Sequence, residues 1–127
     1  MEQRFLIDTN ILIEFQAKKL PVSGQGFVAK IIDEEFTISI INKIEILGHH
    51  SVVKQTRDFV NLANAIELDK NVADKTIELR KSQKIKLPDA IIAASALLYN
   101  MTLITRNTLD FQNVRGLKLI NPWKLKD

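Results

Sequence analysis

The sequence predicts an α/β protein in which a parallel β-sheet is flanked by helices. Short apolar segments rich in β-branched residues alternate along the chain with longer segments of helical periodicity. This alternation is typical of β-α-β units, because two parallel strands need a crossover between them. The length of 127 residues suits one compact domain. We therefore expect a single domain over residues 1–127.

Each element follows from a local pattern. Strands are predicted where β-branched and aromatic residues cluster, at residues 4–7, 36–41, 66–68, 101–105 and 117–120. Helices are predicted where apolar residues recur at helical spacing, at residues 9–16, 27–35, 42–50, 52–65, 71–83 and 88–100. Two glycines, a proline and a serine predict a loop at residues 21–26.

The predicted helix at residues 88–100 is expected to be buried. Pro88 lies in its first turn, where the missing N–H is not needed. The following residues, AIIAASALL, are apolar on nearly every side, which is typical of a helix inside the core. Burial would fix the position of Asp89 in the first turn.

Composition limits the class of protein. The chain has no cysteine, which excludes disulfides, zinc–thiolate sites and cysteine catalysis. The longest apolar stretch, residues 90–99, is too short to span a bilayer, and residues 1–10 do not resemble a signal peptide. We expect a cytoplasmic protein with no membrane partner. The net charge of +3 and the isoelectric point near 9.2 weakly favour a polyanionic partner.

Four acids are expected to converge on one edge of the sheet. Asp8 follows the first predicted strand, Glu45 lies one turn into the helix after the second, and Asp110 lies just beyond the fourth. In parallel α/β sheets these strand-to-helix junctions share the carboxyl edge, where ligands bind. Asp89 begins a helix whose N-terminus is expected to point to the same edge.

Convergence of carboxylates predicts a cation. Two carboxylates 4 Å apart repel each other by about 4 kcal/mol at an effective dielectric constant near 20. Oxygen ligands without cysteine favour a hard ion such as Mg²⁺ or Mn²⁺. An ion of this kind activates water and holds a phosphoryl oxygen, which is the chemistry of phosphodiester hydrolysis.

Each acid also has a structural interpretation. Asp8 can cap the helix that begins at Thr9, and Asp89 suits the positive end of a helix whatever its function. Glu45 lies three residues after Asn42, and Asp110 lies three residues after Asn107. This is the spacing of a capping pair. Asp8 is the exception, because it lies between the apolar runs FLI and ILI, where a charge is normally paired or ligating.

Four segments resemble the motifs of the PIN-domain family. FLIDTNILI is similar to the opening strand and helix, NKIEILGH to the segment of the second acid, and LPDAIIAASAL to the third motif, an Asp that begins an alanine-rich helix. LITRNTLDF resembles the fourth motif, Thr-x-Asn followed by Asp-Phe. All four occur in the family's order from Phe5 to Phe111. The compact length and the Asp-Phe ending most resemble VapC-type toxins of type II toxin–antitoxin pairs.

This resemblance implies a fold and an activity. The fold is three-layered, with a parallel sheet of four to five strands in the order 3-2-1-4-5. The activity is that of a Mg²⁺- or Mn²⁺-dependent endoribonuclease, with an RNA substrate, a cognate antitoxin protein and a homodimer. By position, the metal-site and catalytic residues are Asp8, Glu45, Asp89 and Asp110. The resemblance also implies polar groups that orient the ligands or the substrate, at Thr9, Asn10, Thr105 and Asn107.

Other polar and aromatic residues have weaker signals. Lys84, Lys86 and Arg106 are predicted to hold RNA if they border the acidic groove; the alternative is a solvated face. His49 and His50 are not typical of the family, and adjacent helical side chains point about 100° apart. We expect both at the surface or a helix end. Trp123 has two alternative roles, stacking on a base or packing against the last strand, and the second is favoured.

Alternative functions remain open at the level of sequence. They are a housekeeping PIN-domain ribonuclease, a non-catalytic PIN-fold interaction protein, and another Mg²⁺ enzyme such as a phosphatase or a DNA flap nuclease. The absence of a Gly-rich phosphate loop disfavours the last. The RNA target is expected to be transfer or ribosomal RNA, with messenger RNA also open.

Overall fold

The computed structural model describes residues 3–125 and has the predicted α/β architecture. Its strands are β1 (Arg4–Ile7), β2 (Thr37–Ser39), β3 (Asn64–Ile66), β4 (Met101–Ile104) and β5 (Leu119–Ile120). Its helices are α1 (Thr9–Gln16), α2 (Val22–Glu34), α3 (Ile40–Leu47), α4 (Lys54–Asn61), α5 (Lys70–Ser82), α6 (Leu87–Leu98) and α7 (Thr108–Phe111). A 3₁₀ turn, Pro122–Lys124, follows β5.

All the strand pairs are parallel, as predicted. Hydrogen bonds join β1, β4 and β5 in that order, and they join β2 to β3. These neighbours agree with the order 3-2-1-4-5. Within residues 3–125, β1 and β2 are in contact but no hydrogen-bonded ladder joins them, so the sheet consists of a three-stranded and a two-stranded part.

Two hydrophobic cores lie on opposite sides of the sheet. Leu6 and Leu103 belong to one core, whereas Ile7 and Ile104 belong to the other. Successive residues of a strand point to opposite faces, so strands with helices on both faces bury nearly every side chain. The result is the predicted arrangement of three layers.

The helix α6 is buried in the first of these cores, as its apolar sequence predicts. Every residue from Ala90 to Ala96 is buried. Pro88 lies at the second helical position, where its lack of an N–H costs no hydrogen bond. Because the body of the helix is fixed by packing, its first turn is held at the carboxyl edge of the sheet.

The predicted loop at residues 21–26 is wrong, because α2 begins at Val22. Gly24 is buried, and a Cβ at this position would collide with the carbonyl oxygen of Pro122. The glycine therefore permits a close contact with the 3₁₀ turn rather than a bend in the chain. A sequence pattern cannot distinguish these two uses of glycine.

Several boundaries also differ from the prediction. β2 ends at Ser39, because this side chain caps α3 by accepting a hydrogen bond from Ile41 N. The helix predicted at residues 52–65 is shorter, and β3 accordingly begins earlier, at Asn64. The short helix α7 was not predicted. No helix within residues 3–125 has the length and apolar character needed to cross a membrane.

Candidate active site

Asp8 lies at the centre of a hydrogen-bonded cluster at the end of β1. Its backbone N–H donates to Ile104 O at 2.9 Å, which continues the sheet by one residue. Its Oδ1 accepts hydrogen bonds from Thr9 N at 2.9 Å and from Asn42 Nδ2 at 3.2 Å. Its Oδ2 accepts from the buried Thr105 Oγ1 at 2.8 Å. The carboxylate is thus held in one orientation, and its bond from Thr9 N also confirms the predicted cap.

Asn42 belongs to this cluster, although the sequence suggested only a helix cap. Its Oδ1 accepts from Ser39 N at 2.8 Å, and the two residues form the capping box of α3. Its Nδ2 donates to Thr9 Oγ1 at 2.9 Å as well as to Asp8. The proposed capping pair of Asn42 with Glu45 is wrong, because Ser39 takes that position.

Glu45 approaches the cluster through Thr9. The Thr9 hydroxyl donates to Glu45 Oε1 at 2.7 Å, and it accepts from Asn42 as described above. A single hydroxyl therefore connects the exposed Glu45 to the buried cluster around Asp8. One turn of α3 separates Asn42 from Glu45, so both side chains reach the same edge of the sheet.

Asp89 faces this cluster from the first turn of α6. Partial burial raises the pKa of Asp89, and the negative charges of Asp110, Asp8 and Glu45 raise it further. Lys86 partly offsets this effect. The other three predicted acids, Asp8, Glu45 and Asp110, are therefore all within electrostatic range of Asp89.

Burial also raises the pKa of Asp8, despite the hydrogen bonds that stabilise its charge. Thr105, Thr9 and Asn42 lower the pKa, but less than burial raises it, and the charge of Asp110 adds to the rise. An acid this deep in a core normally needs a compensating positive charge. Within residues 3–125, no Lys, Arg or His forms an ion pair with Asp8, whose side chain bonds only neutral donors.

The four acids do not form a closed ligand cage. Within residues 3–125, no group of three or more His, Asp or Glu side chains is close enough together to hold a metal ion. Glu45 and Asp110 are exposed, whereas Asp8 is buried and Asp89 half-buried. The site therefore combines one fixed carboxylate with others that have room to move.

The remaining predicted residues differ in their relation to the cluster. Thr9 and Thr105 contact Asp8 or Glu45 directly. Asn107 reaches the cluster only through its backbone N–H, which donates to Thr105 Oγ1 at 3.1 Å. Asn10 is exposed on α1 and makes no side-chain hydrogen bond within residues 3–125. Asn107 caps α7 without a side-chain bond, so its capping pair with Asp110 is also wrong.

The basic candidates lie in two places. Lys84 and Lys86 are exposed before α6, and Lys86 is near enough to Asp89 to lower its pKa. Arg106 instead forms an ion pair with Glu14, at 2.7 Å between Nη1 and Oε2. Its guanidinium lies over Trp123, which packs against the core as predicted.

His49 and His50 are exposed beyond the end of α3, as predicted. Their rings nevertheless stack, with centroids 4.7 Å apart. The expected divergence of about 100° applies within a helix, and these residues lie in the turn that follows it.

Comparison with known proteins agrees with the fold. Residues 5–117 match the sequence profile of the PIN domain, and the chain belongs to this family. In an alignment of 127 positions it is 28% identical to Ribonuclease VapC1 of Rickettsia felis, and the match covers 91% of this chain and 93% of that protein. The predicted resemblance to VapC-type proteins is thereby confirmed.

Solved structures give the same result. A chain of a toxin–antitoxin complex from Klebsiella pneumoniae is 33% identical, with a TM-score of 0.70; the match covers 94% of this chain and 98% of that one. A DNA-bound VapBC structure from Salmonella typhimurium gives a TM-score of 0.76 at 18% identity, covering 95% and 99% of the two chains. The second likeness shows a shared fold only.

Proposed function

We propose that this chain is a divalent-metal-dependent endoribonuclease and the toxin of a toxin–antitoxin pair, formed by one PIN domain over residues 1–127. Its substrate would be transfer or ribosomal RNA. The observation that carries this proposal is that the charges of Asp8, Glu45 and Asp110 all act on Asp89 at the carboxyl edge of the sheet. The relatives named as a ribonuclease and as a toxin–antitoxin complex support it.

The chemistry of the four side chains fits a hard divalent cation. All the donors are carboxylate oxygens, which Mg²⁺ and Mn²⁺ prefer. Partial burial raises the pKa of Asp89 most, and the neighbouring negative charges, which a cation would neutralise, raise it further. Asp8, Glu45, Asp89 and Asp110 would hold the ion, which when bound supplies a water of lowered pKa and neutralises charge on a phosphoryl oxygen.

The surrounding residues orient these carboxylates. Thr105 and Asn42 fix the rotation of the Asp8 carboxylate, so that little order is lost when a ligand binds. Thr9 directs Glu45 toward the same point. Lys86 provides a positive charge beside Asp89, which lowers the repulsion between the acidic edge and an RNA phosphate.

The partners follow from the relatives rather than from the site. A cognate antitoxin is proposed because several structural neighbours are described as VapBC or toxin–antitoxin complexes. A second copy of this chain is proposed from the resemblance to VapC-type proteins. We place the pair in the cytoplasm, where its RNA substrate is found. Lys84 and Arg106 remain proposed RNA contacts together with Lys86.

The decisive experiment measures RNA cleavage by purified protein that has been separated from any antitoxin. Cleavage is expected with Mg²⁺ or Mn²⁺, is expected to stop with EDTA, and should fall by more than about a hundredfold in Asp8→Asn. Asp74→Asn is the matched control, because Asp74 lies on the exposed face of α5 and pairs only with Lys70. Sequencing the cleaved ends identifies the RNA.

Two results would contradict the proposal. Equal degradation by wild type and Asp8→Asn would show that Asp8 does not take part in the cleavage, and persistence of the activity in EDTA would exclude metal dependence. Growth arrest on expression, relieved by Asp8→Asn and by the co-expressed neighbouring gene, would favour a toxin over a housekeeping ribonuclease.

A further inference from the structure

A cavity of about 440 Å³ adjoins the acidic site at Asp110. Its lining also includes Arg106, Asn107, Trp123 and Lys124. Aromatic, amide and cationic side chains together are the usual lining of a single-stranded nucleic-acid site, because bases stack and phosphates need positive charge. A metal site at the four predicted acids does not account for the aromatic, amide and cationic side chains of this cavity.

Arg106 and Trp123 form a fixed flat surface within this cavity. The Arg106 guanidinium carbon lies 4.1 Å from the centre of the Trp123 ring. Glu14 holds both residues, since its Oε2 is 2.7 Å from Arg106 Nη1 and its Oε1 accepts from Trp123 Nε1 at 3.0 Å. Glu14 is itself mostly buried, with 16% of its side chain exposed, so the anchor is rigid. We call Arg106 and Trp123 the Arg–Trp platform.

The position of the platform is fixed from the opposite side as well. Trp123 lies in the 3₁₀ turn that packs against α2 at Gly24, where only a glycine fits against Pro122. A glycine in α2 lowers helix stability relative to alanine. Its presence is accounted for by this close contact, which determines where Trp123 lies.

Charge pairing distinguishes the two cations of the cavity. Arg106 is paired with Glu14, which weakens its attraction for a phosphate, but 49% of its side chain remains exposed. It therefore offers a planar face rather than a free charge. Lys124 is exposed, and no carboxylate within residues 3–125 lies within ion-pair distance of it. Lys124 is the cation available for a phosphate.

We propose that the Arg–Trp platform stacks a nucleobase of single-stranded RNA beside the acidic site, with Lys124 contacting its phosphate. Stacking on a guanidinium plane supported by an aromatic ring is a recognised mode of RNA binding. The inference rests on the proposed ribonuclease function, and it places a stacked base beside the cleaved bond.

Binding can be observed directly, because Trp123 is the only tryptophan in the chain. The probe is a four-nucleotide oligoadenylate, titrated in EDTA so that no cleavage occurs, and followed by tryptophan fluorescence. An abasic oligoribonucleotide of equal length and charge is the second probe. A fluorescence change is expected with oligoadenylate, and a much smaller one with the abasic probe.

The informative variant is Arg106→Lys, which keeps the charge and the partner Glu14 but loses the planar face. We expect it to weaken oligoadenylate binding about fivefold or more, the effect of losing one stacked base, and to leave abasic binding unchanged. Arg115→Lys is the matched control, since Arg115 lines a different cavity with Leu79 and Asn113. Lys124→Gln should weaken both probes equally and reduce the salt dependence.

The outcomes separate this inference from the proposed function. If wild type cleaves RNA but Arg106→Lys binds both probes as wild type does, the platform is not a stacking site and the ribonuclease assignment stands. If Arg106→Lys weakens only the complex with the antitoxin, the platform is a protein contact and the inference is overturned. If wild type cleaves no RNA under any metal condition, the proposed function itself fails.

Discussion

The two sides of the candidate site are built differently. On the first side, which we call the hydrogen-bonded half, Asp8, Thr9, Asn42, Glu45 and Thr105 are joined by side-chain hydrogen bonds of 2.7–3.2 Å. The second side, the open half, consists of Asp89 and Asp110. Within residues 3–125, neither of their carboxylates accepts a hydrogen bond from another side chain.

Because of this difference, the two halves have separate roles. The hydrogen-bonded half fixes geometry, because each polar group in it has a defined partner. The open half carries negative charge that Lys86 only partly offsets, and partial burial together with this charge raises the pKa of Asp89. A cation would therefore change the energy of the open half most, whereas loss of a hydrogen bond would change the shape of the other half most.

Among the variants that compare the two halves, the largest effect is expected from Thr105→Val, which removes a hydroxyl from the hydrogen-bonded half while nearly preserving the volume of the side chain. Asp8 Oδ2 would lose its buried donor. We expect RNA cleavage to fall about 10- to 100-fold, and the free energy of unfolding to fall by about 1–3 kcal/mol. Steady-state cleavage and urea unfolding measure the two effects.

Thr105→Ser is the control for this variant, because it keeps the hydroxyl that donates to Asp8. Its cleavage rate should remain within a few-fold of wild type. If Thr105→Val and Thr105→Ser behave alike, the hydrogen bond to Asp8 does not position the carboxylate, and the contrast between the two halves is wrong.

A smaller effect is expected in the pH dependence of stability, to which Asp89 of the open half contributes. Burial and neighbouring charges raise the pKa of Asp89 above its ordinary value of 3.8. The folded state therefore binds this proton more tightly than the unfolded chain does. The contribution of Asp89 to the free energy of unfolding thus increases as the pH falls through the raised pKa toward 3.8.

The measurement compares wild type with Asp89→Asn in EDTA, because acids outside the site contribute equally to both. At neutral pH the variant should be more stable by at most about 1 kcal/mol, since the half-exposed site is screened by solvent. This difference should shrink as the pH approaches 3.8. A difference that does not vary with pH would show that Asp89 is not destabilised by its surroundings.

The sequence predicted what depends on periodicity and strand order. The parallel α/β class, the burial of α6 and the mutual proximity of the four acids were all predictable, because strand ends and helix starts share one edge of a parallel sheet. The start of α2 was not predictable, since the glycine at position 24 serves a contact with Pro122, almost 100 residues away.

The role of Asn42 was also hidden in the sequence. Its spacing from Glu45 indicated a cap, which is a local interpretation. Its actual partners include Asp8 and Thr9, more than 30 residues away. A polar residue with no exposed surface signals such a role, but burial is a property of the folded chain.

The most direct test of the account is the effect of Mn²⁺ on the melting temperature of wild type, Asp89→Asn and the control Asp74→Asn. If the four carboxylates form one cation site, Mn²⁺ raises the melting temperature of wild type and Asp74→Asn in proportion to its binding. Asp89→Asn should begin at or above wild type in EDTA and gain much less. Equal gains for all three proteins, or no gain for wild type, would contradict the account.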